Sequence, residues 1–367
     1  MSIKKCDIIK RPARIVGFSY IADLQGCGTI RVIYPSLLLP HLRTKGYDFS
    51  SFYSAYFIND VDFYKNFTYV QFQRPATKNH LNIFKHFRDN IRSKSKTPLF
   101  YEIDDLLTDI PKWNFAHEYY CQNIEYIKEM MSIADGMTVS TDKLKEIYSE
   151  YNNNIEVIPN HLPKFIWGDI YPKHEYEPNI ERPLIMWAGS QNHFAQKHMK
   201  DVKGGDFGSK LMNFIRKTVN DYRWVFSGSY PIELEDIKNK IEIHRWKSVL
   251  EYPKHFKDLE PDICIAPLEK CVFNEAKSDI KTLEFTAVGA PGIYSKIEPY
   301  KKMTLQADND EEMISMIEML AKDIDMRKRV YNKDRKTVNG QLWWEKNNNM
   351  KFYIDSYLRL INKKLEK

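Results

Sequence analysis

Short apolar runs alternate with amphipathic stretches along most of the chain, and this alternation limits the fold more than any other feature. Apolar runs of strand length that alternate with helix-like stretches are typical of parallel strands joined by crossover helices. They therefore predict an α/β fold built on doubly wound parallel sheets. In the first part of the chain the predicted strands are RIVGFSY, FTYVQFQ, TPLFYEIDDLL, ADGMTVST and NNIEVIPNHL.

A proline-rich stretch interrupts the alternation. Residues 163–183 hold four prolines and show no clear period, which is typical of a linker. We therefore predict two Rossmann-like domains, 1–162 and 183–338, joined by a linker over 163–182. The tail, 339–367, is predicted to be a helix that returns to the first domain. Predicted strands of the second domain are LIMWAGS, YRWVFSGS, IEIHRW, DICIAPL and a short one that ends the stretch GAPGIYS.

Composition excludes several classes of protein. With 43% hydrophobic residues the chain is too apolar for disorder, and it has no run of 18 apolar residues, so we expect no membrane insertion. The five cysteines are scattered and lack CxxC spacing, which argues against a zinc site or a disulfide framework. The basic start has no secretory signal pattern, so we expect a cytoplasmic location. A net charge of +6 permits a polyanionic partner without requiring one.

A glycine-rich loop, IADLQGCGT, follows the first predicted strand and precedes a helix-like stretch. This order is a common way for an α/β fold to form a ligand cleft, because glycine allows the backbone to approach a ligand closely. We take Gly28 as a candidate donor-binding position. The alternative is a tight turn that needs Gly26 and Gly28 for its geometry alone.

Glu284 lies beside Leu283 and Phe285 on an apolar helix face that follows a polar loop, in FNEAKSDIKTLEFTAVGAPGIYS. A buried carboxylate needs hydrogen-bond donors or a cation. A ligand's hydroxyls could supply the donors. The alternative is a buried ion pair with a lysine from another strand.

The stretch SDIKTLEFTAVGAPGIYS resembles the nucleotide-sugar signature of retaining glycosyltransferases with two facing Rossmann-like domains, the GT-B fold. The resemblance implies that Glu284 holds the ribose hydroxyls of the donor and that Lys277 and Ser278 serve its diphosphate. The alternative for these two is a surface lysine and a helix N-cap serine. The family's earlier Glu is replaced here by Ala276. The residues that match the rest of the signature are Ala287, Gly289 and Pro291.

A second stretch, MWAGSQNH, resembles the first strand and phosphate loop of the donor domain in that family. The resemblance implies donor-binding roles for Gly189, Ser190 and His193, although a lone histidine is more often structural. The family's GR…K form is absent, and Lys203 is a candidate replacement for its lysine.

A narrower resemblance involves LQGCGTIRVIYPSLLLPHLRTKGYDF and LFYEIDDLL, which are similar to the bacteriophage DNA α-glucosyltransferases in a GCG loop and a Y-x-x-D motif. Tyr101 and Asp104 match that spacing. Asp104 and Asp105 both close a predicted strand, where catalytic acids lie in open sheets, so one of them could orient or deprotonate the acceptor hydroxyl, and the Tyr101 spacing favours Asp104. The alternative is an ordinary helix N-cap and first turn.

Three cations, Lys85, Arg88 and Arg92, share one side of the predicted helix HLNIFKHFRDNIRSKSK. They could follow a DNA backbone. A stripe of this kind is more often a solvated face, and with its apolar neighbours it could also dock on a membrane surface.

Together these features predict a monomeric, retaining glycosyltransferase that uses a UDP-sugar without an obligatory metal. The first choice of acceptor is a flipped 5-hydroxymethylcytosine in double-stranded DNA, which would place the enzyme in the host cytoplasm if it is phage-encoded. One alternative is a transferase for envelope glycan, lipid or protein. The other is an inactive protein that only binds a nucleotide sugar.

Overall fold

The structure, a computed structural model, describes residues 13–41, 47–168, 181–195 and 204–365. They form two lobes, each around a six-stranded parallel sheet. The strands of the first sheet have the order β2-β1-β3-β4-β5-β6. Their bounds are β1 Ala13–Tyr20, β2 Tyr47–Ser54, β3 Tyr69–Gln73, β4 Leu99–Ile103, β5 Gly136–Val139 and β6 Ile155–Val157.

The second sheet has the order β9-β8-β7-β10-β11-β12, which is the strand order of the Rossmann fold. Its inner strands are buried on both faces, so their sequences are continuously apolar instead of alternating. The bounds are β7 Leu184–Gly189, β8 Arg223–Gly228, β9 Glu242–Arg245, β10 Ile263–Ala266, β11 Gly292–Ser295 and β12 Gln306–Ala307.

Helices cover both faces of the first sheet. Several have clear start signals: the Thr77 side chain accepts a hydrogen bond from the N–H of His80, and the Thr141 side chain accepts one from the N–H of Leu144. Residues Thr29–Ile33 and Phe87–Arg92 form π-helical turns, and Leu39–His41 is a 3₁₀ turn. The α-helices are α1 Gly26–Gly28, α2 Tyr34–Leu38, α3 Val61–Tyr64, α4 Lys78–His86, α5 Ser93–Ser95, α6 His117–Ile133 and α7 Asp142–Tyr148.

The next helix, α8, lies inside the predicted linker, and the helices that follow it belong to the second lobe. Residues 169–180 of the predicted linker lie outside the described residues. Segments Gln191–His193, Ile232–Lys240 and Glu298–Tyr300 are 3₁₀. The α-helices are α8 Lys164–Trp167, α9 Ser209–Lys217, α10 Tyr252–Asp258, α11 Val272–Glu275, α12 Ile280–Val288, α13 Asp310–Lys322 and α14 Ile324–Val338.

The last helix, α15 (Asn347–Leu365), leaves the second lobe and packs on the first sheet. Its Tyr357 ring stacks on Tyr69 with the centroids 4.3 Å apart, and its hydroxyl donates a 2.6 Å hydrogen bond to Gln71. The crossing joins the two lobes through apolar contact. No helix in the described part of the chain is both long and apolar enough to span a membrane.

Each sheet reverses its strand order at one point, between β1 and β3 in the first sheet and between β7 and β10 in the second. Open α/β sheets bind ligands at such a point, beyond the carboxyl ends of the strands. Most of the candidate catalytic and donor-binding residues lie in or next to the loops that leave these ends, and the two carboxyl edges face each other across a cleft.

Candidate active site

A cavity of about 100 Å³ in this cleft has walls from both lobes. The first lobe contributes Gly26, Ile30 and Tyr34, from the loop and helix after β1. The second lobe contributes the loops after β7, β8 and β9, and one face of α12 that carries Glu284. A ligand in this cavity would touch both lobes at once.

Glu284 is 6% exposed and already has partners on one oxygen. Its Oε2 accepts hydrogen bonds from Lys281 Nζ at 2.7 Å and from the Tyr252 hydroxyl at 3.1 Å. Glu284 therefore does form a buried ion pair, but its lysine comes from the same helix and not from another strand. Among the described residues no group donates to Oε1, so this oxygen can still accept from a ligand.

Trp246 forms an aromatic rim on the same cavity and is half-exposed. Beneath it, Gly228 has φ +101° and leaves no room for a side chain, because a Cβ would lie 2.4 Å from the Gly189 carbonyl oxygen. Opposite, the Tyr34 hydroxyl donates to the Val249 carbonyl at 3.3 Å and joins the first lobe to this rim. Flat, partly exposed aromatic surface beside a carboxylate suits a nucleoside.

A second group surrounds Asp206, whose side chain is fully buried. His193 Nδ1 lies 2.6 Å from Asp206 Oδ2, and Lys277 Nζ lies 3.9 Å from the same oxygen. Asp206 Oδ1 accepts from Asn274 and from the Glu269 N–H, at 2.7 and 2.9 Å.

These contacts set the protonation states. Burial raises the pKa of Asp206, but the charge of Lys277 and the hydrogen bonds from His193 and the Glu269 N–H outweigh it, so this pKa is lowered overall. Burial, then the charge of Lys277, lowers the pKa of His193 against the pull of Asp206. His193 is therefore neutral at pH 7, with its Nδ1–H donating to ionised Asp206 and a lone pair on Nε2.

The acid pair directly follows β4, and the two carboxylates have different surroundings. Arg74 Nη1 lies 3.4 Å from Asp104 Oδ1 and 3.8 Å from Asp105 Oδ2. The side chain of Asp104 is 10% exposed and that of Asp105 is 28% exposed. Burial, then the charge of Asp104, raises the pKa of Asp105, while Arg74 and Lys277 lower it. Asp105 is therefore the more accessible of the two acids, and the positive charge of Lys277 in the opposite lobe acts on it.

Three potential metal ligands lie together at the acid pair, because one ligand atom each of Cys27, Asp104 and Asp105 lies within 4.8 Å of the others. However, Arg74 Nη1 is 2.9 Å from Cys27 Sγ and already supplies positive charge to the group. Burial, then Asp104, raises the pKa of the Cys27 thiol, which favours the weaker, protonated ligand form. The donor set is therefore better explained by the guanidinium.

Ser278 bonds across the cleft instead of capping α12. Its Oγ accepts from Asn160 Nδ2 at 2.9 Å, and Asn160 Oδ1 accepts from Arg31 at 2.9 Å. Arg31 in turn pairs with buried Glu102 at 2.8 Å. The N-cap position belongs to Asp279, whose side chain makes no capping bond. The N-cap alternative for Ser278 is therefore wrong, and the loop that carries Lys277 is held by the first lobe.

The glycine and loop candidates have mixed positions. Gly189 lines the cavity, and the Ser190 side chain accepts from the Asn192 N–H at 3.3 Å in the same loop. Gly28 is buried, and a Cβ there would lie 1.8 Å from the Asp23 carbonyl oxygen, so the turn itself requires this glycine. Its donor-binding role stays a prediction, as do those of the other candidates. Lys203 lies outside the described residues.

Each cation of the basic stripe has a carboxylate partner: Lys85 pairs with Glu129, Arg88 with Asp89 and Arg92 with Asp135. Asp135 immediately precedes β5, so Arg92 lies at the amino-terminal edge of the first sheet, opposite the cleft. The stripe therefore runs away from the cavity. Its DNA-binding role stays a prediction.

Sequence reasoning overlooked four residues that the structure brings into the cleft. Arg74 directly follows the predicted strand FTYVQFQ, so its strand-end position was a usable signal. Asp206 lies between glycines in GGDFG, a second available signal. Lys281 and Cys27 had no comparable mark. Tyr101, from the Y-x-x-D motif, is fully buried and donates to the Pro75 carbonyl at 2.7 Å, which is a structural role.

Comparison with solved structures defines the class of fold. The chain resembles an α-glucosyltransferase in complex with UDP-glucose and DNA containing an abasic site, with TM-score 0.61 and 13% identity over 93% of this chain and 98% of that one. It also resembles Anabaena Alr3699/HepE in complex with UDP and glucose, with TM-score 0.58 and 9% identity over 94% and 98% of the two chains.

A third similar structure is the Candida albicans trehalose-6-phosphate phosphatase N-terminal domain, with TM-score 0.55 and 11% identity over 96% of this chain and 98% of that one. No family model and no curated protein sequence matches the chain. At these identities the likeness concerns the fold. The predicted α/β class, with two facing Rossmann-like domains in the GT-B arrangement, is confirmed.

Proposed function

We propose that this protein is a glycosyltransferase that moves a sugar from a UDP-sugar to a hydroxyl acceptor. One observation carries the proposal: an aromatic rim and an available carboxylate oxygen in the second lobe share the cleft with an acid pair at the carboxyl edge of the first sheet, and the charge of Lys277 acts on Asp105 of that pair. This is the arrangement that transfer between a nucleotide donor and a hydroxyl requires.

For the donor, Glu284 Oε1 accepts the ribose hydroxyls, and the Trp246 ring packs against the base. Lys277 and the amino terminus of α12 neutralise the diphosphate as its charge grows. His193 has a lone pair at Nε2, so it accepts from a sugar hydroxyl instead of donating to a phosphate oxygen. Gly189 and Ser190 shape the adjoining turn.

In the transfer step the bond from the anomeric carbon to the diphosphate oxygen breaks, and its electron pair leaves with UDP. A bond from the acceptor oxygen to that carbon forms. Asp105 holds the acceptor hydroxyl and takes its proton, which its raised pKa favours. Retention of configuration is proposed from the resemblance of the α12 signature to retaining enzymes; in a single displacement it requires that the acceptor oxygen attack the anomeric carbon from the face that the diphosphate leaves.

For the acceptor, we propose 5-hydroxymethylcytosine in double-stranded DNA. The support is the GCG loop at Gly26–Gly28, the acid pair after β4 and the similarity to a glucosyltransferase solved with DNA. The basic stripe adds no support, because its cations are paired and Arg92 lies opposite the cleft.

Mass spectrometry tests donor and acceptor together. The protein is incubated with a panel of UDP-sugars and duplex DNA containing 5-hydroxymethylcytosine, and the DNA is digested to nucleosides. A hexose or pentose added to the modified base supports both parts of the proposal, and NMR of the product's anomeric centre reports retention or inversion.

Three variants separate the parts of the proposal, two that should lose activity and one control. Glu284→Ala and Asp105→Asn are expected to abolish or strongly reduce the added mass, whereas Glu318→Gln, on the exposed face of α13, is not. Hydrolysis of a UDP-sugar without transfer to DNA would contradict the DNA acceptor and favour a glycan, lipid or protein acceptor. UDP binding with neither hydrolysis nor transfer would contradict the enzymatic proposal.

A further inference from the structure

Arg74 lies at the centre of the group formed by Cys27, Asp104 and Asp105, and the proposed reaction gives Arg74 no role. It follows β3, at the point where the first sheet reverses its strand order. Its Nη1 contacts Cys27 Sγ at 2.9 Å and Asp104 Oδ1 at 3.4 Å, and its Nη2 donates to the Tyr120 hydroxyl at 3.2 Å. Its side chain is 13% exposed, so these contacts are shielded from bulk water.

The backbone of Arg74 is strained. Its φ is +48°, in the left-handed region that side-chain-bearing residues rarely adopt. Such a conformation is unfavourable and persists only where surrounding contacts enforce it. Here the Arg74 N–H donates to the Glu102 carbonyl at 2.8 Å, so pairing with β4 continues through the strained residue. A glycine at this position would have no such strain. The presence of an arginine therefore suggests that its guanidinium has a role.

Charged and titratable groups face the guanidinium from several elements. Cys27 comes from the loop after β1, Asp104 and Asp105 from the loop after β4, and Tyr120 from α6. Further groups act on these from a greater distance. They are Glu102 and Arg31 on the Asp104 side, Tyr148 on the Asp105 side, and Lys277 from the second lobe.

Arg74 does not contact the two carboxylates of the acid pair equally. Arg74 lies closer to Asp104 than to Asp105, at 3.4 against 3.8 Å. Among the described residues, Asp104 Oδ1 accepts no hydrogen bond, so its nearest compensation is this guanidinium charge. Asp105 is the more exposed of the two.

We propose that Arg74 is the positioning residue of the acid pair: it fixes Asp104 and Cys27 in the floor of the cleft, so that Asp105 alone presents its carboxylate to the acceptor. The kinetic part of this inference rests on the proposed function. Without the guanidinium, two adjacent carboxylates lose their shared cation, and the like charge of Asp104 acts on Asp105 uncompensated. Asp105 then takes up a proton at higher pH, so the pH below which it no longer serves as a base is higher.

The test compares Arg74→Gly, which tolerates the left-handed backbone, with Arg74→Lys, which keeps the charge. Arg14→Met, on the exposed start of β1, is the control. For Arg74→Gly we expect the acid limb of the kcat profile to move up by about 1–3 pH units. KM for the UDP-sugar should stay unchanged, because Arg74 does not line the nucleotide cavity. Arg74→Lys, and millimolar guanidinium added to Arg74→Gly, should each restore part of the profile, whereas equal NaCl should not.

A second measurement needs no turnover. The guanidinium attracts the carboxylates only while they are ionised, so the free energy of unfolding lost in Arg74→Gly should grow as pH rises from about 3 to 7. The loss in Arg14→Met should stay constant. A pH-independent loss in Arg74→Gly would overturn the role of Arg74, whether or not the protein is an enzyme.

The outcomes keep the two proposals apart. A wild-type protein that turns over no UDP-sugar contradicts the proposed function, while the unfolding measurement still decides on Arg74. An active wild type with an unshifted profile in Arg74→Gly contradicts the positioning role alone.

Discussion

Replacing Glu284 by Gln tests the donor site with the smallest change of shape. The amide keeps the size of the side chain but removes its negative charge. In the wild type this carboxylate accepts hydrogen bonds from Lys281 Nζ at 2.7 Å and from the Tyr252 hydroxyl at 3.1 Å. In the free protein the substitution leaves Lys281, about 20% exposed, without its ionic partner. In the complex, Oε1 loses the charge that strengthens its bonds to the ribose hydroxyls.

The size of the effect follows from these bonds. A hydrogen bond to a charged group contributes about 1.5–3 kcal/mol, against about 0.5–1.5 kcal/mol between neutral groups. Weakening two ribose bonds in this way costs about 1–3 kcal/mol, which is about a 5- to 150-fold rise in the Kd for UDP. Glu284→Ala should lose at least as much, because it also removes the acceptor.

Isothermal titration calorimetry of UDP measures this directly. The series is the wild type, Glu284→Gln, Glu284→Ala and the control Glu318→Gln, with urea unfolding of each variant to verify that it is folded. If both Glu284 variants bind UDP within twofold of the wild type, Glu284 does not hold the ribose. A fall of similar size in the control would instead indicate a general effect of charge.

Three further predictions concern neighbouring groups. Trp246→Ala should weaken UDP binding by about 1–3 kcal/mol if the base stacks on the indole, and unchanged calorimetric affinity would contradict that contact. Asp105→Asn should lower kcat at least about 100-fold and preserve the affinity for UDP, because it removes the proton acceptor. Asp104→Asn should shift the pH profile of kcat more than it lowers the maximal rate. The opposite result for the two variants would exchange their roles. Burial raises the pKa of Glu102 to about 7 despite the charge of Arg31, so as pH rises the folded protein keeps this proton longer than the unfolded chain does. The free energy of unfolding should therefore fall as pH rises from about 4.5 to 7, by at most about 3 kcal/mol. In Glu102→Gln the free energy of unfolding should depend less steeply on pH across that range. An unchanged dependence would refute the raised pKa of Glu102.

Local pattern was enough to predict most of the fold. Continuous apolar runs such as LIMWAGS and DICIAPL can be buried only as inner strands of a covered sheet, so their sequence specifies their place. Strand β2, YDFSSFYS, was overlooked because it is an edge strand with polar and exposed residues, and edge pairing leaves little apolar signal. Helix α6 was also overlooked; its sequence HEYYCQNIEYIKEMMSI buries only a narrow face, at Ile127, Met130 and Met131.

For the site, the sequence by itself determined which loops carry chemistry, because residues that follow parallel strands gather at one edge of each sheet. It therefore pointed to Asp104 and Asp105 after β4, whereas Lys277 in the loop after β10 was predicted from the resemblance of its signature. Only the tertiary structure decided their partners: Arg74 beside the acids, and Lys281 beside Glu284. The physical reason is that burial periodicity is encoded within a few residues, whereas the distance between two charges depends on how separate strands and lobes pack.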